Sequence, residues 1–145
     1  MAEIIPVGAD HAGYALKERL VAELRTMGFE PLDLGVHDAE PADYPEFAHE
    51  VAGRVERGEA RRGVLLCGTG LGMSYAANRH HGVRAAVTWN AEIAKLARQH
   101  NDANVLILPA RFLSEEEGMK ILHVWMTTPF EGGRHERRVL KIDGE

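Results

Sequence analysis

Cysteine is almost absent from this sequence: Cys67 stands alone among 145 residues, which excludes an internal disulfide and a cysteine-rich zinc site. Long apolar runs are missing as well. The opening Met1-Ala2-Glu3 carries no basic stretch, and Ile4-Ile5-Pro6-Val7 is too short for a secretion signal or a membrane span. The expectation is therefore a cytoplasmic protein with no membrane partner. Positive charge is not in excess either. A net charge of -5 gives no global attraction to nucleic acid, so none is expected as a partner, and any anion must be held by a local cluster. No internal repeat and no linker interrupts the chain.

What is present is the composition of one compact domain. Apolar residues make up 45% and charged residues 27%, which is ordinary for a folded chain, and 145 residues suffice to bury a single core. Residues 1–145 are expected to form one domain.

Short apolar or β-branched runs alternate with longer segments of helical period. Ile4 to Ala9 reads as a first strand, and Leu16, Leu20, Leu24 and Met27 as the stripe of a helix that Gly28 stops. A second strand is expected near Pro31 to Leu34, then a helix opened by Asp43 and Pro45 and ended near Gly58. Gly63 to Cys67 reads as the third strand, followed by a glycine-rich turn and a helix around Met73 to Arg79. Val83 to Val87 and Val105 to Leu108 supply two more strands, separated by a helix over Ala91 to Gln99. Ser114 and Glu117 make a capping box before a last helix, and a polar tail begins at Glu131. The pattern predicts a three-layer α/β/α, Rossmann-like fold with a five-stranded, mostly parallel sheet. Ligands of such sheets sit beyond the carboxyl ends of the strands, which selects Asp10-His11 and Cys67 to Gly72 as the site's border.

Cys67-Gly68-Thr69-Gly70-Leu71-Gly72 lies between a strand and a helix, so its amides can turn toward an anion. A dinucleotide fingerprint would need glycine or alanine where Met73 stands, and a Walker loop would need a Gly-Lys-Ser/Thr that is absent. Cys67 is then either a small buried filler or a thiol drawn toward thiolate by a helix N-terminus. Asp10 either caps the next helix or, with His11, orients hydroxyls and shuttles protons. Arg134 and Arg138 share a face if the tail is helical; paired guanidinium groups suit a phosphate dianion, and a solvated basic face is the alternative. His100-Asn101-Asp102 is a dense polar triplet. His37, His49, His80, His81 and His123 show no ligand-like spacing with carboxylates, so they read as surface or packing residues and no metal is expected.

Taken together, these residues resemble the ribose-5-phosphate isomerase B family, which also includes galactose-6-phosphate and allose-6-phosphate isomerases. The similarity runs from Gly8-Ala9-Asp10-His11-Ala12-Gly13 through Asp43-Tyr44-Pro45 to the Cys67–Ser74 loop and Ala76-Ala77-Asn78. It continues with Arg98-Gln99-His100-Asn101-Asp102-Ala103-Asn104 and Gly132-Gly133-Arg134-His135. The resemblance implies a cofactor-free aldose-ketose isomerase acting on ribose 5-phosphate, with Cys67 moving a proton between C2 and C1. Amides of Gly68, Gly70, Leu71 and Gly72 and the Thr69 hydroxyl would stabilise the cis-enediolate, and His100 would open the sugar ring. Asp10 would hold sugar hydroxyls or pass a proton between oxygens, and Asn101 would contact the enediol end. His11, Arg134 and Arg138, with Arg111 as a further candidate, would grip the phosphate. Some relatives replace the cysteine by a glutamate four residues beyond the threonine, a position held here by Met73.

The resemblance also implies a homodimer, or a dimer of dimers, with shared sites, residues 131–145 serving phosphate binding and dimer contact. Three alternatives stand beside this reading. One is an isomerase of allose 6-phosphate, galactose 6-phosphate or erythrose 4-phosphate. The others are a non-catalytic sugar-phosphate-binding module and an NAD-linked oxidoreductase.

Overall fold

The two longest unbroken runs of buried-type residues, β1 (Ile4–Ala9) and β3 (Gly63–Cys67), are strands with the bounds expected from sequence in the computed structural model, which covers residues 1–145. Between and after them lie α1 (Tyr14–Thr26), β2 (Glu30–Asp33), α2 (Tyr44–Glu56), α3 (Leu71–Ala77), β4 (Ala85–Val87), α4 (Ala91–Asn101), β5 (Val105–Pro109), α5 (Glu115–Thr127) and α6 (Arg134–Ile142). No helix is long and apolar enough to cross a membrane.

The strands form one sheet in the order β2-β1-β3-β5-β4, and every pairing is parallel. Parallel neighbours need crossovers, which here are helices covering both faces, so β3 and β5 are buried on both sides. Side chains alternate between two cores. Val64, Leu66, Leu106 and Leu108 pack with Leu20, Leu24, Ile121 and Trp125 under α1 and α5, whereas Leu65, Cys67, Val105 and Ile107 pack with Val51, Ala52, Met73 and Ala77 under α2 and α3.

Several bounds differ from the sequence reading, each for a local reason. α3 starts at Leu71 because Gly70, at φ 79°, turns the chain into it, and it ends where the Asn78 carboxamide bonds both the N–H and the carbonyl of Ala85 at 2.8 and 3.0 Å. β4 begins at Ala85 rather than Val83, because the Arg84 N–H is taken by the Asn104 side chain at 2.7 Å. α4 runs to Asn101, two residues beyond Gln99, until Asp102 adopts φ 47° and closes the helix. The segment read as a polar tail is α6, whose inward face is only His135 and Val139. The capping box at Ser114 forms as expected, with the Ser114 Oγ accepting from the Glu117 N–H at 3.0 Å.

One buried charge was not anticipated. Lys17 is 0% exposed and donates to both oxygens of Asp33 at 2.9 and 2.8 Å and to Glu18 at 2.9 Å. Burial raises the Asp33 proton affinity, but the bonds from Lys17 and from the Gly35 N–H outweigh it and hold the carboxyl below its ordinary value.

Candidate active site

The chain leaves β1 for β2 on one side and returns through β3 on the other, so the carboxyl ends of β1 and β3 bound a switch-point crevice. Asp10 follows β1 and Cys67 ends β3. The Asp10 N–H donates to the Leu66 carbonyl at 3.2 Å, which fixes the two segments side by side.

Asp10 is buried, and its Oδ1 accepts from the Ala12 and Gly13 N–H groups at 3.0 and 3.2 Å. The capping role therefore exists, although for a short 3-10 turn over His11–Gly13 rather than for α1 directly. Both bonds fall on Oδ1, which leaves Oδ2 without a protein partner. His11 Nδ1 accepts from the Ala42 N–H at 3.2 Å, so the neutral ring carries its proton on Nε2.

Cys67 is 4% exposed and belongs to the core under α2 and α3 while also ending the strand at the crevice. It is filler and rim at once. Gly68, Thr69 and Gly70 separate it from α3, so the expected thiol at a helix N-terminus is instead a thiol at the start of an amide-rich turn. Thr69 Oγ1 accepts from the Leu71 N–H at 3.2 Å, leaving the hydroxyl hydrogen free to donate outward. Arg111 lies across this turn. Its N–H donates to the Gly68 carbonyl at 3.1 Å, and a Cβ added at Gly68 would sit 3.1 Å from its Nη1, so only glycine admits the guanidinium at this distance.

The remaining candidates are at the other edge. α4 runs antiparallel to the strands, and His100 lies in its last turn, before β5 begins at Val105. Val105 pairs with Gly63 and Pro109 with Cys67, so four residue steps separate the level of His100 from that of Cys67, about 13 Å of strand. His135, on α6, stacks on His100 with ring centroids 4.3 Å apart and planes 14° apart. Arg134 and Arg138 are exposed on α6, one turn apart as expected, and Asn101 is exposed beside His100. The proton affinity of His135 is lowered by burial first, then by His100 and Arg134.

The expected site residues thus fall into two groups on opposite edges of one chain. Asp10, His11, Cys67, Gly68, Thr69, Gly70, Leu71, Gly72 and Arg111 lie at the carboxyl edge, and His100, Asn101, Arg134 and Arg138 at the amino edge. The proposed phosphate grip is divided: His11 and Arg111 stand on one side, Arg134 and Arg138 on the other. His135, unassigned by the sequence reading, joins the second group; its spacing to Val139 is the signal that a helix there would bury it.

A cavity of about 530 Å³ lies away from Cys67, lined by Arg61, Arg62, Arg84 and Arg98. Arg62 pairs with Glu3, Arg84 with Asp143 and Arg98 with Asp102, and Arg62 and Arg98 also lie over the Trp125 ring, so these guanidinium groups brace the fold. Among the histidines read as surface or packing residues, His80 bonds Glu56 at 2.9 Å and His49 at 2.7 Å, and His123 bonds Glu23 at 2.7 Å. These carboxylate partners are distant in sequence.

Residues 5–142 match the model of a family described as Ribose/Galactose Isomerase. The chain is 44% identical over 138 residues to ribose-5-phosphate isomerase B of Escherichia coli, spanning 95% of this chain and 93% of that one. A ribose 5-phosphate isomerase structure from Thermotoga maritima superposes with a TM-score of 0.95 at 46% identity, covering 100% of both chains. The Mycoplasma genitalium ribose-5-phosphate isomerase B structure, with ribulose-5-phosphate bound, matches with a TM-score of 0.95 at 42% identity over 99% of this chain and 96% of that one.

Proposed function

Because this chain belongs to the ribose/galactose isomerase family, we propose that it interconverts ribose 5-phosphate and ribulose 5-phosphate at a site assembled from two copies. The observation that carries the reading is the presence of a free thiol and an unpartnered carboxylate oxygen on adjacent segments at the switch point, beside an amide-rich turn.

In the proposed mechanism, the ring form binds with its phosphate among His11, Arg111, Arg134 and Arg138. His100 accepts the proton of the anomeric hydroxyl and returns it to the ring oxygen as the C1–ring oxygen bond breaks, giving the open aldose. The Cys67 thiolate removes the C2 proton; the electron pair moves into a C1–C2 double bond, and the C1 oxygen becomes the cis-enediolate oxygen. Amides of Gly68, Gly70, Leu71 and Gly72 and the Thr69 hydroxyl stabilise that charge. Return of the proton to C1 and loss of the O2 proton complete the ketose, with Asp10 Oδ2 passing the proton between oxygens and Asn101 contacting the enediol end. No group in this scheme calls for a cofactor.

The shared site is supported by the distance between the two residue groups and by apolar side chains that a lone chain leaves in water. Leu71, Tyr75 and Phe112 are 50, 64 and 71% exposed near the carboxyl-edge group, and Leu140 and Ile142 are 49 and 60% exposed on α6. A two-fold pairing of carboxyl edge to amino edge buries both and builds two equivalent sites.

A six-carbon substrate is the second reading, favoured by the galactose in the family's description. Turnover of ribose 5-phosphate is the test, compared with allose 6-phosphate, galactose 6-phosphate and erythrose 4-phosphate. Preference for a six-carbon sugar overturns the pentose assignment, and absence of turnover with all four returns the chain to a binding module.

A further inference from the structure

Besides the ring-opening role proposed for it, His100 belongs to a cluster with Glu131 and His135, two residues that the sugar chemistry above does not use. His100 Nε2 lies 3.9 Å from Glu131 Oε1, and His135 Nε2 lies 3.6 Å from the same oxygen. Both separations are too long for hydrogen bonds. They approach the edge of a coordination tetrahedron, because two ligands each about 2.05 Å from one ion stand about 3.3 Å apart. One ligand atom from each residue lies within 4.8 Å of the others. Two imidazoles and a carboxylate are a zinc-type donor set that leaves a fourth position open.

The three residues are also held together. The Glu131 N–H donates to the Gln99 carbonyl at 3.1 Å, fastening the loop to the end of α4 next to His100. The His135 N–H donates to the Gly132 carbonyl at 3.1 Å, and its ring rests on that of His100. Burial first, then the neighbouring His100 and Arg134, disfavour the protonated His135 ring. Closing the set requires the Glu131 oxygen to approach both rings and the near-parallel rings to tilt toward one another, movements that the exposed Glu131 and half-exposed His100 side chains can supply. Arg134 and Arg138 flank the cluster and oppose a cation there as they oppose the His135 proton, which lowers the affinity of the site; their exposure to solvent weakens this repulsion without removing it.

We propose that His100, Glu131 and His135 form a binding site for a divalent ion of the zinc type, and that the bound ion stops isomerisation by occupying the His100 ring. The inhibitory half rests on the role proposed above for His100; the site itself does not.

Cobalt(II) titration of the metal-free protein, read by visible absorption, and zinc titration by calorimetry measure the site without reference to activity. About one ion should bind per chain, and Glu131→Gln and His135→Gln should each weaken binding by about 10- to 100-fold or more. Cys67→Ser should bind as the parent does. Zinc should inhibit ribose 5-phosphate turnover, and in Glu131→Gln the zinc concentration that halves that variant's own metal-free rate should rise by the factor lost in affinity. Unchanged affinity in both ligand variants, or loss of binding in Cys67→Ser, overturns the site. Binding without inhibition overturns the blockade of His100. If the parent turns over none of the four sugars, the cobalt spectrum still decides the site.

Discussion

The Asp10 N–H and the Leu66 carbonyl are joined at 3.2 Å, so the backbone that carries the carboxylate after β1 and the backbone that leads to the thiol at the end of β3 keep a fixed relation. Chemistry at one should therefore be separable from geometry at the other.

Cys67→Ser tests that separation. Serine is close in volume, so the fold should be kept, while a hydroxyl at this 4% exposed core position should cost about 1 to 3 kcal/mol and lower the melting temperature by a few degrees. An alkoxide is inaccessible near neutral pH, and kcat/KM for ribose 5-phosphate should fall by about a hundredfold or more. Steady-state kinetics beside a melting curve check both halves; full activity in the variant removes Cys67 from the role of base.

Arg138→Ala addresses the phosphate. Loss of a desolvated charged contact costs about 2 to 5 kcal/mol, read as a raised KM for ribose 5-phosphate with little change in any weak turnover of unphosphorylated ribose. An unchanged KM would return this exposed residue to a solvated basic face.

Co-refolding tests assembly. Cys67→Ala and His100→Ala homodimers should each be nearly inactive, since every site in either lacks one group. Random pairing makes about half of the dimers mixed, each with one intact site, so activity should recover to about a quarter of the parent. Failure to recover, with mixed dimers verified by native mass spectrometry, would mean that the two residues do not serve one shared site.

Acid stability should depend on Lys17. The Asp33 carboxyl is held below its unfolded value, so its contribution is fully present above about pH 3.9 and is lost as pH falls through the lower folded value. Lys17→Met should destabilise the fold by about 1 to 3 kcal/mol at neutral pH, because Asp33 keeps some hydration, and should flatten the loss of stability below about pH 4. Glu3, held down by Arg62, titrates in the same direction, so the slope should shrink rather than vanish. Denaturant titrations at several pH values measure it; an unchanged slope would remove the Lys17 bond as its source.

Much of this was legible in the sequence because strands buried on both faces leave continuous apolar runs, and β1 and β3 kept their expected bounds. The placing of β5 between β3 and β4 was not, since strand order is decided by tertiary pairing. α6 reads as a tail because paired glycines and a charged run surround a face of only two buried residues. Lys17 reads as surface by type, although it falls one position from the Leu16-Leu20-Leu24 stripe that α1 buries. Within the candidate site, the positions of Asp10, Cys67 and the glycine turn at the strand ends were readable. His135 was not, because its burial depends on a helix the composition conceals.

The alternation along β3 bears on ancestry as well as on chemistry. Val64 and Leu66 feed one core and Leu65 and Cys67 the other, so the thiol proposed as the base is also the last member of a packing series. Selection for a folded chain asks only that something small and apolar stand there. A lineage that loses the thiol can keep the architecture, the turn and its amides, so on the proposed mechanism a silent descendant that grips sugar phosphates without turning them over lies one codon away.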